Sequence, residues 1–299
     1  MKKVFVLAPS EDWIVDRFVK EWYDDNPDIS INDASQADVV WLMADWCWQR
    51  VPRNVLYGKK VMVTVHHIVP EKFGARERLE FEFRDRFVTT YHVPNKHTEA
   101  FIKPLTEKPI HMIPYWANQR IWRPTGAKGD LRKKHRLPEA GYLIGSFQRD
   151  TEGHDLKSPK LEKGPDLLAN ALVAFAPQMP NLHVVLAGWR RQYLMGRLDE
   201  AGITYTYLEK PSQHVLNELY QTLDLYPVTA RHEGGPQSLL ECGLLNVPMV
   251  SRDVGMASQV LPSTAVNDTI TECIPAVPNV KHLTLPAGYL PYRNLIEAL

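Results

Sequence analysis

Short runs of consecutive apolar residues alternate along this chain with longer stretches in which apolar positions recur every three or four residues. In the first half Val4 to Leu7, Val39 to Met43, Val61 to Val65, Phe87 to Tyr91 and Ile110 to Ile113 read as strands. Ile14, Val15, Phe18, Val19 and Trp22 are spaced as one helical face, and Asn95 to Ile102 reads as a second helix. Apolar strands without polar alternation are buried on both faces, so the pattern predicts parallel sheets covered by helices. From Trp116 to Asp130 the pattern lapses around Pro124, Gly126 and Gly129, which places a domain boundary near Pro124, with domains 1–124 and 125–299.

The alternation then resumes. Strands are predicted at 142–147, 182–187, 203–207, 225–228 and 247–250. Between them, Pro165 opens a helix with Leu167, Leu168, Ala171, Leu172 and Phe175 on one face, and 190–201 and 236–245 are helical. Ser212 is placed to cap a helix carrying Val215, Leu216, Leu219, Tyr220 and Leu223. After Val266 four prolines punctuate a loop-like tail, and a short helix from Tyr292 to Leu299 is expected to pack back on the first domain. The predicted fold class is α/β, with two doubly wound Rossmann-like domains. Such domains bind ligands at the carboxyl ends of their strands, so the expected site is a cleft across which those ends face each other.

Composition narrows the function. The 299 residues suit two α/β domains, and Lys plus Arg equal Asp plus Glu at 35 each. That balance gives no electrostatic footprint for nucleic acid or an anionic membrane, although a local basic pocket remains compatible with it. Cys47, Cys242 and Cys273 offer neither a disulfide framework nor metal-ligand spacing, and read as reduced cysteines of a cytoplasmic protein. The apolar run after Met1-Lys2-Lys3 has strand length, not signal-peptide length, and no stretch approaches the ~20 apolar residues that span a bilayer.

The candidate chemistry lies after predicted strands. Arg231-His232-Glu233-Gly234-Gly235-Pro236-Gln237-Ser238 follows the strand at 225–228 and opens a helix. Gly234 and Gly235 permit unusual backbone angles and close approach of a ligand, and Pro236 suits a first helical turn. The N–H groups at that helix start, Gly235 to Ser238, suit a diphosphate. Glu233 is placed to bond sugar hydroxyls, and Glu241 leans back along the helix toward the same end. Across the second domain, Arg149 follows the strand at 142–147 and Lys163-Gly164 precedes the next helix.

Glu233 and Glu241, with seven residues between them after a strand, resemble the Glu-x7-Glu motif of retaining glycosyltransferases of the GT-B fold, most closely glycosyltransferase family 4. Leu186-Ala187-Gly188, the Asp224-Leu225-Tyr226 strand and Val247-Pro248 resemble its flanks. Asn246 departs from the glycine many relatives carry. The resemblance covers residues 110 to 262 well and 1 to 110 loosely. It implies transfer of a sugar from a nucleoside diphosphate sugar to a hydroxyl acceptor with retained configuration. The acceptor would be a glycan, a lipid-linked group or a small molecule, and the pathway carbohydrate biosynthesis. By this resemblance Arg149 and Lys163 hold the donor diphosphate together with Gly235, Pro236, Gln237 and Ser238. Glu233 and Gly234 meet the donor sugar, Glu233 as a catalytic residue, and Glu241 takes the ribose hydroxyls. No cofactor or metal is required.

In the first domain, relatives place a histidine at a strand end matching Thr64-Val65-His66-His67, so His66 or His67 is the catalytic or acceptor-positioning candidate. The glycine-rich first loop of many relatives is replaced by Ala8-Pro9-Ser10-Glu11-Asp12-Trp13, where Ser10, Glu11 and Asp12 offer hydroxyl-binding groups or helix caps. Trp13, Trp46 and Trp48 are expected to pack in the core, with sugar stacking as the alternative. Thr151 to Glu162 reads as a mobile loop over the cleft, and Glu209 to Ser212 is placed for base contacts by position alone. The rival reading is a non-catalytic nucleotide-sugar-binding or scaffolding protein of the same fold.

Overall fold

The structure, a computed structural model, describes residues 1–11 and 14–299. The readings of Asp12 and Trp13 lie outside the described residues. The chain forms two compact units, one of Met1–Tyr115 with Pro286–Leu299, the other of Trp116–Leu285. The division therefore falls at Tyr115, ahead of the Pro124 suggested by composition.

The first unit is built on a parallel sheet of β1 (Val4–Leu7), β2 (Val39–Leu42), β3 (Lys60–Thr64), β4 (Thr90–Val93) and β5 (Ile110–Met112), in that spatial order. Ser30 adds a parallel bridge to Val4, so β1 lies between that edge and β2. Helices α1 (Ile14–Asp25), α2 (Arg53–Gly58), α3 (Ala75–Asp85) and α4 (Lys96–Ile102) connect the strands. Helix α1 buries Val15, Phe18, Val19 and Trp22, the face its spacing predicts. Asn95 caps α4 by accepting from the Thr98 N–H at 2.9 Å. The strand expected at Phe87 to Tyr91 begins later, at Thr90, because pairing of Met62 with Thr90 and Tyr91 with Ile110 sets its register. The C-terminal helix, Leu290–Ala298, belongs to this unit: Tyr292 stacks on Trp41 at 5.3 Å, and Trp22 meets Tyr289 edge-on at 5.4 Å.

A buried polar chain runs through this core. Trp41 Nε1 donates to Thr64 Oγ1 at 2.8 Å, Thr64 Oγ1 lies 2.9 Å from His92 Nδ1, and His92 Nε2 lies 2.8 Å from the Ile113 carbonyl. Burial pushes the His92 pKa down to about 3, so the ring is neutral, with Nε2–H donating and Nδ1 accepting.

The second unit holds β6 (Tyr142–Ser146), a hairpin of β7 (Thr151–Glu152) and β8 (Ser158–Pro159), then β9 (Leu182–Ala187), β10 (Thr204–Leu208), β11 (Tyr226–Val228) and β12 (Met249–Ser251). Helices α5 (Lys128–Lys134), α6 (Pro165–Phe175), α7 (Gln192–Ala201), α8 (Gln213–Thr222) and α9 (Gln237–Leu245) lie among them. Strands β10, β9 and β6 pair in parallel, as do β11 and β12, and a parallel bridge between Ile144 and Leu225 joins the two sets. The resulting order, β10-β9-β6-β11-β12, reverses direction at β6. A ligand-binding crevice is expected outside the carboxyl ends of β6 and β11, at that reversal. Leu168, Leu172, Val184, Leu186, Leu194 and Leu198 form the core between sheet and helices. Of residues 151–162, expected as a mobile loop, Thr151–Glu152 pair with Ser158–Pro159 as the β7–β8 hairpin and 153–158 are exposed. The base of the hairpin is held, since Thr151 is fully buried, its N–H donates to the Arg190 carbonyl at 3.1 Å, and its hydroxyl accepts from the Tyr193 N–H at 2.8 Å.

Candidate functional site

The reversal in the second unit's sheet gathers most of the charged residues singled out from sequence. Gly164 is the reason they meet. It sits in the left-handed region, φ 61° and ψ 38°, and a Cβ there would lie 1.9 Å from the Thr229 carbonyl oxygen. Only glycine lets the loop before α6 press against the end of β11, where Thr229 Oγ1 donates to the Gly164 carbonyl at 2.9 Å. The Arg231 N–H donates to the Glu162 carbonyl at 2.8 Å, and its guanidinium forks onto Asp166 at 2.8 and 2.6 Å. That fork holds the Asp166 carboxyl below its ordinary range.

Zipped together in this way, the two loops set Lys163 Nζ 2.5 Å from Glu233 Oε1, with both side chains mostly buried. Gln148 Nε2 donates to the Lys163 carbonyl at 2.9 Å and so ties the end of β6 to the same corner. Arg149, the next residue, donates from Nε to the Thr151 carbonyl at 2.9 Å and lays its guanidinium over the Trp189 ring at 5.2 Å. Lys163, Glu233 and Arg149 therefore share one end of one sheet.

The glycine-proline segment differs in detail from expectation. The left-handed glycines of this corner are Gly164 and Gly255 rather than Gly234 or Gly235. A Cβ on Gly255 would lie 2.8 Å from Pro236 Cδ and 3.0 Å from the Gly234 carbonyl, so the 252–256 loop braces the segment. Pro236 is the residue before α9 rather than its first turn, and as the N-cap residue it offers no side-chain cap. The Gln237 and Ser238 region thus opens a nine-residue helix at the sheet's carboxyl end, where its dipole favours an anion. Glu241 is deeper than its spacing suggests, 5% exposed, and the Tyr220 hydroxyl hydrogen-bonds to it. Burial and this carboxylate drive the Tyr220 pKa well up, so the phenol stays protonated.

In the first unit, His66 Nε2 lies 2.8 Å from the Met43 carbonyl, and Nδ1 is hydrogen-bonded to the Tyr115 hydroxyl. Burial lowers its pKa to about 4, which leaves a neutral ring donating to Met43 and accepting from Tyr115. His67, half-buried, follows it in the chain. Trp48 is buried as expected, whereas Trp46 is 47% exposed and its Nε1 donates to Glu11 at 2.9 Å. Ser10, with φ 58°, and Glu11 donate their N–H groups to Asp16 at 2.7 and 2.8 Å. Among the described residues no group of three His, Cys, Asp or Glu is placed to hold a metal ion, and no helix is long and apolar enough to cross a membrane.

Sequence reasoning missed what holds Arg149. Arg191 is fully buried, and its Nε donates to Asp150 at 2.6 Å. Its Nη1 donates to the carbonyls of Ser146 and Ala187, the latter at 2.8 Å, and Nη2 to Ser146 Oγ at 2.8 Å. One guanidinium thus clamps the ends of β6 and β9 beneath the Arg149 loop. In sequence Arg190-Arg191 looks like a pair of surface cations, and nothing marks the second as interior.

Residues 157–272 match the family Glycosyl transferases group 1. A stretch of 160 residues, 51% of the chain, is 25% identical to the lipopolysaccharide core biosynthesis mannosyltransferase LpsB of Rhizobium meliloti (strain 1021) and spans 43% of that relative's length. The fold is similar to that of Anabaena HepE in complex with UDP and glucose, with a TM-score of 0.69 at 12% identity over 91% of this chain and 88% of that one. It is also similar to sucrose-phosphate synthase from Thermosynechococcus elongatus, with a TM-score of 0.64 at 15% identity over 95% and 78%. Residues 157–272 are therefore similar to a glycosyl transferases group 1 domain, and the chain has the fold of these GT-B neighbours.

Proposed function

We propose that this protein is a retaining glycosyltransferase of carbohydrate biosynthesis, moving a hexose from a nucleoside diphosphate sugar to a hydroxyl acceptor in the cytoplasm. The observation that carries the reading is the Lys163–Glu233 pair at 2.5 Å, set at the sheet reversal beside Arg149 and the start of α9. HepE, of the same fold, is in complex with UDP and glucose, and the LpsB relative is a mannosyltransferase, in keeping with a nucleotide-sugar donor.

The donor diphosphate lies between Arg149, Lys163 and the N–H groups at Gly235 to Ser238. These cations and dipoles oppose the charge that develops on the leaving diphosphate as the glycosidic bond breaks. Lys163 shares its ammonium with Glu233, so one carboxylate links the cation that meets the diphosphate to the sugar hydroxyl it is proposed to bond. That pairing couples sugar orientation to leaving-group stabilisation. Gly234 leaves room for the sugar, and Glu241, steadied by Tyr220, takes the ribose hydroxyls. The acceptor oxygen bonds to the anomeric carbon on the face from which the diphosphate leaves and passes its proton to that diphosphate, so the configuration is retained. His66, a neutral ring whose nitrogens are engaged by Tyr115 and Met43, or its neighbour His67 serves the acceptor side. No resident cofactor takes part, and full turnover is expected after chelation with EDTA.

Assaying the purified protein against UDP-, GDP- and ADP-sugars with mono- and oligosaccharide acceptors tests the reading. Lys163→Ala or Glu233→Ala is expected to lower turnover by about a hundredfold or more, with the unfolding transition retained. Tight nucleotide binding with neither transfer nor donor hydrolysis in the wild type would turn the assignment to a binding protein. An inverted anomeric centre in the product, read by NMR, would remove the stereochemical part alone.

A further inference from the structure

Three cations crowd one exposed indole in a protein whose charges otherwise balance. Trp189 is 43% exposed, and the guanidinium of Arg149, the guanidinium of Arg190 and the ammonium of Lys210 lie 5.2, 4.6 and 5.2 Å from its ring. Among the described residues no ion pair joins any of the three to a carboxylate. Mutual repulsion of three unpaired cations is unfavourable unless an electron-rich partner completes the cluster.

The backbone here is also strained and firmly held. Gly188, Arg190 and Lys210 have φ of 100°, 55° and 45°, and left-handed geometry at non-glycine residues is costly and collects at ligand sites. Tyr207 donates its hydroxyl to the Gly188 carbonyl at 3.0 Å, Arg190 Nη1 donates to the Gly153 carbonyl at 3.1 Å, and the buried Arg191 clamp lies beneath. The indole is therefore presented by a rigid loop.

Position completes the argument. Lys210 follows β10, Trp189 follows β9, Arg149 follows β6 and Glu233 follows β11, which is the spatial order of these strands. With neighbouring strands about 4.8 Å apart, this row spans ~14 Å along one edge, about the length of a nucleoside diphosphate sugar laid crosswise. With the sugar at Glu233 and the diphosphate at Lys163 and Arg149, the nucleoside end falls on Trp189.

Resting on the donor site proposed above, we propose that Trp189, Arg190 and Lys210 determine base specificity and select a nucleobase bearing carbonyl oxygens, uracil or guanine, over adenine. The exposed indole gives the base an apolar aromatic surface. Arg190 and Lys210 have only donors to offer, which match the carbonyl acceptors of uracil and guanine and not the amino group at the corresponding edge of adenine. Trp189 also holds the Arg149 guanidinium by stacking, and so positions a diphosphate ligand.

Thermal-shift titration of the full-length chain with UDP, GDP, ADP and inorganic pyrophosphate tests this. UDP or GDP is expected to bind at least about tenfold more tightly than ADP. Trp189→Ala should weaken the preferred nucleotide by about tenfold or more, with Trp189→Phe restoring most of the loss. Lys210→Gln should narrow the gap to ADP while leaving the pyrophosphate shift unchanged. Tighter binding of ADP, or a ranking that neither substitution alters, overturns the specificity assignment and leaves the donor site standing. A wild-type protein that binds neither any of the nucleotides nor pyrophosphate overturns both.

Discussion

The two units differ in the buried polarity at their strands. In the first, the polar groups on the central strands are neutral and satisfy one another: Trp41, Thr64, His92 and the Ile113 carbonyl form one chain, and His66 is held between Tyr115 and Met43, while the buried cation Arg84 sits on α3 and pairs with the partly exposed Asp45 at 3.1 Å. In the second, the buried groups at the strand ends are ions, Arg191 against Asp150 inside and Lys163 against Glu233 nearer the surface. A neutral network adds order to a core at little desolvation cost. A buried ion pair costs desolvation but fixes charge in space, which a diphosphate site requires. In the unit that carries the candidate donor chemistry that cost falls at the strand ends themselves, and its Arg191–Asp150 pair has both partners buried.

Breaking the buried clamp should give the largest effect on stability. Arg191→Leu leaves Asp150 buried without its cation, and a loss of about 3–5 kcal/mol is expected in urea unfolding. The Asp150→Asn, Arg191→Leu double variant should recover part of it. A loss below about 1 kcal/mol would mean that water reaches the site and the contrast between the units is weaker than drawn.

Acid should single out the first unit. The folded-state pKa values of His66 and His92, about 4 and about 3, lie below the ~6.5 of an unfolded histidine, so the unfolded chain takes up protons first. The stability given by the neutral rings is whole above pH ~6.5 and is lost as pH falls toward 4, with each ring contributing a slope of up to ~1.4 kcal/mol per pH unit. His92→Gln should reduce that slope, as read from urea midpoints between pH 4 and 7. An unchanged slope would place the protonation elsewhere.

Smaller effects sharpen the contrast at single groups. Tyr292 donates to the Pro114 carbonyl at 3.1 Å from a fully buried hydroxyl, and Tyr292→Phe is expected to cost about 1 kcal/mol. In the second unit Ser212 caps α8 by accepting from the Val215 N–H at 3.3 Å, a long bond, and Ser212→Ala should cost about 0.5 kcal/mol. Urea unfolding of both variants would show whether the neutral core network outweighs an exposed cap.

Much of the fold was legible because the central strands, such as β2, β3, β6 and β9, are buried on both faces and read as nearly unbroken apolar runs. Helix α1 was legible because one face is buried and one wet. Helix α3 was not: only Phe81 and Arg84 are buried on it, so no period marks it. The candidate site was legible where a local rule applies, as at Lys163-Gly164, Glu233 and the start of α9. Trp189, Asp150 and Arg191 were illegible because their meaning depends on which strand ends lie side by side, and α9's Glu241 looked more exposed than it is.

The order of apolar and polar residues, with glycine and proline at the turns, by itself determined two parallel α/β units and put charged residues after particular strands, since those patterns act over a few residues. Only the tertiary structure decided that β6 and β11 are neighbours, that Lys163 meets Glu233, and that Arg191 is interior. Those outcomes depend on pairings between residues far apart in the chain, where burial and hydrogen-bond satisfaction are settled for all partners together.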